Sequence, residues 1–165
     1  MVGDDRPRRR LEQLGQRRTV ALALLAVVSV ANGVLLLAVI ASLIRGDEKS
    51  GAQLLLKAIT VWTTNTIAFG LWYWAFDSGG PRGRSHATDT PPDFLFTQMA
   101  LPDLFPGWRA EFGDYLYLAF TNATAFSPTD TLPTSRWAKM TMMLQSAISL
   151  VIAALVIAHI VNVIK

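Results

Sequence analysis

The polar and apolar positions of this chain fall into long blocks rather than a short alternation. Thr19 to Ile44 carries no charged side chain and is rich in Leu, Val and Ala, and Ala58–Phe76 and Met140–Ile164 repeat the pattern. A helix rises about 1.5 Å per residue and the hydrocarbon core of a bilayer is about 30 Å thick, so roughly 20 residues cross it. The blocks are of that length, and a core helix of a water-soluble domain is shorter. The pattern predicts an all-α integral membrane fold, multi-pass in a cell membrane, with transmembrane helices at 19–44, 53–76 and 137–164. The first block begins like a secretory signal, with a basic start and a small-x-small triplet at Ser29-Val30-Ala31. Its apolar stretch continues beyond the roughly 7–15 residues of a signal core, so it reads as a retained span. Trp72, Tyr73, Trp74 and Phe76 crowd the end of the second block and Trp137 precedes the third, as aromatic rings do at headgroup depth.

The connections differ in kind. Arg45–Ala52 is a short polar turn, and its Arg-Gly-Asp is a chance tripeptide. Residues 77–113 form a polar and interfacial loop. Its first part, through Pro92, is turn and linker chemistry without periodicity, and His86 within it reads as a solvated histidine. Gly79, Gly80 and Gly83 lack the spacing of a phosphate loop. From Asp93 to Trp108 the loop turns apolar but is broken by prolines, which suits a segment lying at the interface. Residues 114–133 are different again. Asp114 can accept from the first free N–H groups of a helix, and the run from Tyr115 to Ala125 is too short to cross a bilayer and too apolar for water. Such a segment predicts a re-entrant half-helix, with Pro128 and Pro133 breaking the chain on its way out.

Composition narrows the functional classes. Charged residues make up 16% of the chain, against about a quarter in soluble domains, and cysteine is absent. The formal net charge of +3 is carried by residues 1–18, where Arg6, Arg8, Arg9, Arg10, Arg17 and Arg18 outnumber Asp4, Asp5 and Glu12. Basicity confined to one arm is not a nucleic-acid-binding face, so no nucleic-acid partner is expected. Residues 77–114 carry six acids and three arginines, a solvated loop on one reading and a cation-concentrating vestibule on the other. With no cysteine and only His86 and His159, neither catalytic residues nor a metal site nor a cofactor is expected, and the chain does not read as an enzyme.

Thr124-Ala125-Phe126-Ser127-Pro128-Thr129-Asp130-Thr131-Leu132-Pro133 carries the sharpest motif. Together with the order of span, loop, short helix, turn and span, it resembles the pore domain of pore-loop, potassium-channel-like cation channels. Their Thr-Thr-Val-Gly-Tyr-Gly-Asp-x-x-Pro aligns without a gap, with Thr124, Asp130 and Pro133 identical. The stretch from Asp114 to Phe120 also resembles a widespread family of bacterial membrane proteins of unknown function, which implies a bacterial inner membrane. The resemblance covers residues 53–165 and implies a homo-oligomer, a tetramer by analogy, conducting monovalent or divalent cations. It departs at the filter, where Ser127, Pro128 and Thr129 replace Gly-Tyr-Gly. Proline fixes φ near −65°, which opposes an identical carbonyl stack. Selection would then use the hydroxyls of Thr124, Ser127 and Thr129 and a carboxylate ring at Asp130.

On the third span Thr141, Gln145, Ser149, Ile152, Val156 and His159 share one helical face, which either lines a pore or packs helix on helix. His159 reads as a packed or interfacial histidine rather than a proton gate. Asn32, Asn65, Thr63, Thr64 and Thr66 are expected to bond between helices, and Asn122-Ala-Thr matches a glycosylation acceptor only by coincidence. The arginines place the 1–18 arm in the cytoplasm. Three spans then put 77–139 on that same side, whereas potassium-type channels carry the re-entrant loop outside. One of three things gives way: the loop is inverted, the start is truncated with an upstream span missing (a span that alone would not alter where the arginines sit), or the arm is outside despite its charge. The sequence thus predicts a channel-like protein, with a non-conducting membrane scaffold or accessory subunit as the alternative.

Overall fold

A computed structural model describes residues 6–45, 51–81, 83–84, 91–126 and 130–163, the side chains of 6–14, 17, 44, 159, 160, 162 and 163 excepted. Five helices and two short strands follow one another as α1 Arg6–Arg45, α2 Gly51–Phe76, a 3₁₀ turn Asp77–Gly79, β1 Phe94–Phe96, α3 Thr97–Ala100, α4 Phe112–Ala125, β2 Thr131–Pro133 and α5 Arg136–Val163. Among the described residues three segments are long and apolar enough to cross a membrane: Arg18–Leu43, Gly51–Gly79 and Arg136–Ala158. They fall on the three apolar blocks of the sequence, and the protein is a multi-pass membrane protein. Helix α1 has 40 residues and is about 60 Å long, so it continues well beyond its apolar stretch.

The spans pack antiparallel in turn. The Arg18 Nη2 donates to the Gly79 carbonyl at 3.2 Å, which puts the start of the first span beside the end of the second. Tyr73 donates to Gln145 Oε1 at 2.7 Å and Asn65 Nδ2 to Ser149 Oγ at 3.5 Å, so α5 descends as α2 ascends. Helix α4 lies against both. Gly70 allows the approach to α2: a Cβ there would stand 3.2 Å from the Leu116 Cα. Tyr115 lies beside Asp77, Leu116 beside Gly70, and the Phe120 ring meets Trp62 edge-on at 5.7 Å, so α4 runs antiparallel to α2.

The start of α4 lies two residues earlier than Asp114. Glu111 is the N-cap, and Asp114 Oδ2 accepts the Glu111 N–H at 2.7 Å in a reciprocal capping box. Strands β1 and β2, which the sequence pattern did not disclose, pair antiparallel with Phe94 opposite Pro133 and Phe96 opposite Thr131. The inward side chains of β1, Phe94 and Phe96, join one core with Tyr73, Tyr115, Leu118, Ala119, Ala138 and Met142. A second, smaller core joins Ala58, Val61 and Ile152, with Val156 against it.

Several expectations change here. Tyr73 is no boundary anchor but fully buried. Thr64 and Thr66 bond back to carbonyls of their own helix, at Thr60 and Trp62, rather than between helices. Asn65 does bond across to α5, whereas the Asn32 Oδ1 has no partner. Asn122 is buried and hydrogen-bonded, so it offers no glycosylation acceptor.

Candidate functional site

The turn after α4 is the first candidate. Helix α4 ends at Ala125, and Phe126 closes it in the left-handed region at φ 55°, ψ 21°. Thr124, Ala125 and Phe126 are exposed. The Thr124 hydroxyl donates to the Phe120 carbonyl at 2.8 Å. Asp130 is exposed as well; its carbonyl accepts from Thr97 Oγ1 at 2.7 Å and its carboxylate from Thr131 Oγ1 at 3.4 Å. Ser127, Pro128 and Thr129 lie outside the described residues.

The α5 face is placed otherwise. Gln145 and Ser149 are 0% and 1% exposed, and Ile152 is 5% exposed, all within the seam that α5 forms with α2 and α4. Gln145 is its centre: Oε1 accepts from Tyr73 Oη at 2.7 Å and from Asn122 Nδ2 at 2.8 Å, while Nε2 donates to the Ala119 carbonyl at 2.8 Å. Asn122 also donates to the Met142 carbonyl at 2.9 Å, and Ser146 Oγ donates to Asn122 Oδ1 at 3.1 Å. These bonds fasten α4 to α5 where no water competes, and each polar atom satisfies another. Thr141 and Val156 are half-buried, and the Thr141 hydroxyl donates to the Trp137 carbonyl at 2.9 Å. The His159 side chain lies outside the described residues. Thus periodicity grouped Gln145, Ser149 and Ile152 on a common face, and that face serves packing within one chain.

A second polar cluster sits where α2 meets the loop. Asp77 is fully buried. Its Oδ1 accepts the Asp93 N–H at 2.9 Å, the Phe94 N–H at 3.3 Å and the Ser78 hydroxyl at 3.1 Å, and its Oδ2 accepts the Tyr115 hydroxyl. Arg84 Nη1 stands 3.9 Å from that Oδ2, and it donates to the carbonyls of Trp74 and Asp77 at 2.8 and 2.9 Å. The Arg84 guanidinium also lies 5.0 Å from the Tyr115 ring centroid, within cation–π range. Burial, then the hydrogen bond to Asp77 and the charge of that carboxylate, push the Tyr115 phenol well above its ordinary range, so it remains a donor. Asp93 extends the cluster by accepting from the Ser78 N–H and the Trp137 indole N–H at 2.9 and 2.8 Å.

Sequence reading counted Asp77 and Asp93 only as loop charge. An Asp placed directly after an apolar helix end, followed by Gly-Gly and an Arg, was the available signal, but nothing in the spacing names Tyr115 as the partner. Among the described residues no group of three His, Cys, Asp or Glu side chains is arranged to hold a metal ion. The chain matches no protein-family model, no curated protein and no solved structure.

Proposed function

We propose that the chain is the subunit of a homo-oligomeric, cation-permeable pore, with the turn from Thr124 to Asp130 as its selective constriction. The observation that carries this reading is α4. It has 14 residues, about 21 Å of helix, and so falls short of a bilayer core of about 30 Å. Its contacts begin beside Asp77 and reach Trp62, a long way down α2, and the chain after it returns to pair with β1 at the loop end. A short helix going in and a strand coming back are what a re-entrant pore loop requires.

Two physical arguments add to it. Irregular backbone at membrane depth is tolerated only where protein covers it or where it faces water. One chain leaves Thr124 to Phe126 exposed, so further copies would supply the cover and the wet axis. The C-terminal end of a helix also carries partial negative charge, which together with an Asp130 ring favours cations over anions. In this reading the constriction uses the hydroxyls of Thr124, Ser127 and Thr129, and on α5 Gln145 holds the pore helix while Ser149 and Ile152 pack on α2, rather than lining the path. A tetramer is the assembly that the resemblance to pore-loop channels implies.

Liposomes containing the purified protein test the proposal. A cation current is expected, and Asp130→Asn should bring the cation-to-anion permeability ratio toward one. Cross-linking in the same membranes should count more than one copy, and a strict monomer overturns the pore. The exposed face of α5, with Met143, Leu144, Leu150, Val151 and Ile157, is apolar and favours the second reading, a non-conducting scaffold. A confirmed oligomer without flux at any potential would establish that scaffold.

A further inference from the structure

The first two spans leave a groove of about 400 Å³ between α1 and α2. Buried Leu25 and Ala68 are part of its floor, while Leu24, Val28 and Ile67 line it and are exposed, so it opens sideways, where the spans meet lipid. Its one hydroxyl is that of Thr64, which donates to the Thr60 carbonyl at 2.8 Å, and the rest of the wall is aliphatic apart from Trp74. On α2 the groove runs from Thr64 to Ala75, about 16 Å of helix. One leaflet of a bilayer core about 30 Å thick has the same depth. Spread over that length, the volume gives a mean width of about 5 Å, half that of an α-helix. A hydrocarbon chain fits such a trough, and a helix of a second copy does not.

A cation stands at the outer end. Arg18 begins the Arg18–Leu43 span, one turn before the groove residues Ala21 and Leu22 and on the same face of α1. Its Nη2 donates to the Gly79 carbonyl at 3.2 Å, one turn beyond Ala75 on the α2 side. The two stripes that line the groove, each continued outward by a turn, therefore meet at this guanidinium. Arg18 is exposed, a guanidinium carries five N–H groups, and among the described residues no carboxylate pairs with it. Such a group at headgroup depth suits a phosphate, which it can hold through two parallel hydrogen bonds. We propose that Arg18 and the groove together bind an anionic phospholipid of the leaflet on that side, with its phosphate on the guanidinium and one acyl chain in the groove. Each half supplies what the other lacks: the groove has nothing polar to select a headgroup, and Arg18 alone does not distinguish a lipid from dissolved phosphate. Arg17 and the other arginines of the arm add positive charge nearby, which favours a headgroup of net negative charge over a zwitterionic one.

Native mass spectrometry of the full chain tests this, with the protein released from detergent micelles that hold equal amounts of phosphatidylglycerol and phosphatidylcholine of the same acyl chains. The first lipid retained by the wild type should be phosphatidylglycerol, preferred by about tenfold, the factor that hydrogen bonds to a charged group supply. Arg18→Gln should bring the ratio of the two lipids close to one, a readout that a loss of stability alone does not move. Ala21→Phe, at an exposed position of the groove wall, should abolish retention of that first lipid with Arg18 still in place. Glycerol 1-phosphate, which offers the phosphate without the chain, should not displace the lipid. A ratio near one in the wild type overturns the proposal, and so does a preference unchanged in Arg18→Gln, because the arm then reads the headgroup. Retention unchanged in Ala21→Phe, or displacement by glycerol 1-phosphate, overturns it by taking the groove out of the site. The chain has no cysteine of its own, so a disulfide between copies of Val28→Cys would report a second copy over the groove and overturn it as well.

Discussion

Replacing Asp77 by Asn tests whether the buried carboxylate holds the loop onto the spans. The substitution keeps the shape and removes the charge. One oxygen becomes an NH₂ group, which in one flip state sets a donor against the Asp93 and Phe94 N–H groups. In the other it sets one against Arg84, and the Tyr115 hydroxyl has to turn from donating to accepting. Arg84, whose side chain is 12% exposed, loses its anionic partner. Breaking a buried pair by removing one partner costs about 3–5 kcal/mol. The carbonyls of Trp74 and Asp77 still accept from Arg84, which favours the lower figure. About 3 kcal/mol is roughly a hundredfold in the equilibrium for opening the loop.

Amide hydrogen exchange on the protein in nanodiscs reads that equilibrium. Peptides covering 93–96 and 131–134 should lose about a hundredfold in protection, because Asp77 pins Asp93 and Phe94, and β2 and Thr134 are pinned in turn by that strand. Asp103→Asn, at an exposed position of the same loop, should leave both peptides unchanged. Protection in Asp77→Asn within about threefold of wild type would refute the reasoning, since the loop would then be held by apolar packing alone.

Three further outcomes are expected. Gly70→Val should push α4 away from α2, because its Cβ meets the Leu116 backbone at 3.2 Å; overpacking of this kind costs about 1–3 kcal/mol, seen as a midpoint lowered by about 2–4 °C per kcal/mol in a thermal melt. Phe126→Gly should be more stable than Phe126→Ala by about 1 kcal/mol, since φ is 55° there and only glycine adopts that region without a steric penalty. Equal stability would place the strain elsewhere. Tyr115 contributes stability that is complete below the ordinary phenol pKa of about 10 and is lost as pH rises toward the raised value of the folded state. Melts by circular dichroism between pH 8 and pH 12 should therefore fall more steeply for wild type than for Tyr115→Phe.

The three spans were legible because uncharged blocks of that length have one physical home. Helix α4 was legible for a related reason: a run from Tyr115 to Ala125 can neither cross lipid nor remain in water, so it has to pack on something. Its start was less legible, because Glu111 and Asp114 can each accept from a helix N-terminus, and only the reciprocal geometry makes Glu111 the cap. The two strands were not legible at all. Three residues cannot show a period of two, and Pro133 in β2 argues against a strand unless it lies at an edge. The α5 face marks another limit. Periodicity says that Gln145, Ser149 and Ile152 share a side, but not which neighbour they meet, and a pore wall and a helix seam have the same spacing. The Asp77 cluster joins residues 16 and 38 positions apart, distances that local pattern does not report.

The two polar networks have a consequence for the turn between them. Asn122 and Gln145 fasten the last part of α4 to α5, and Asp77, through Asp93 and Phe94, fastens the strand that β2 pairs with. The segment from Thr124 to Asp130 is thus anchored before and after, while its own described side chains, Thr124, Ala125, Phe126 and Asp130, are exposed. Burial inside a single chain holds the supports and not the described side chains of the turn. A binding site complete within one subunit would have turned those groups inward against its own helices. A site shared about a symmetry axis needs rigid flanks and outward polar groups, and this is the arrangement that the proposed pore would use. The same reasoning separates the two clusters by role: substitutions at Asn122 or Gln145 act on the position of the turn, whereas Asp130 acts on whatever meets it.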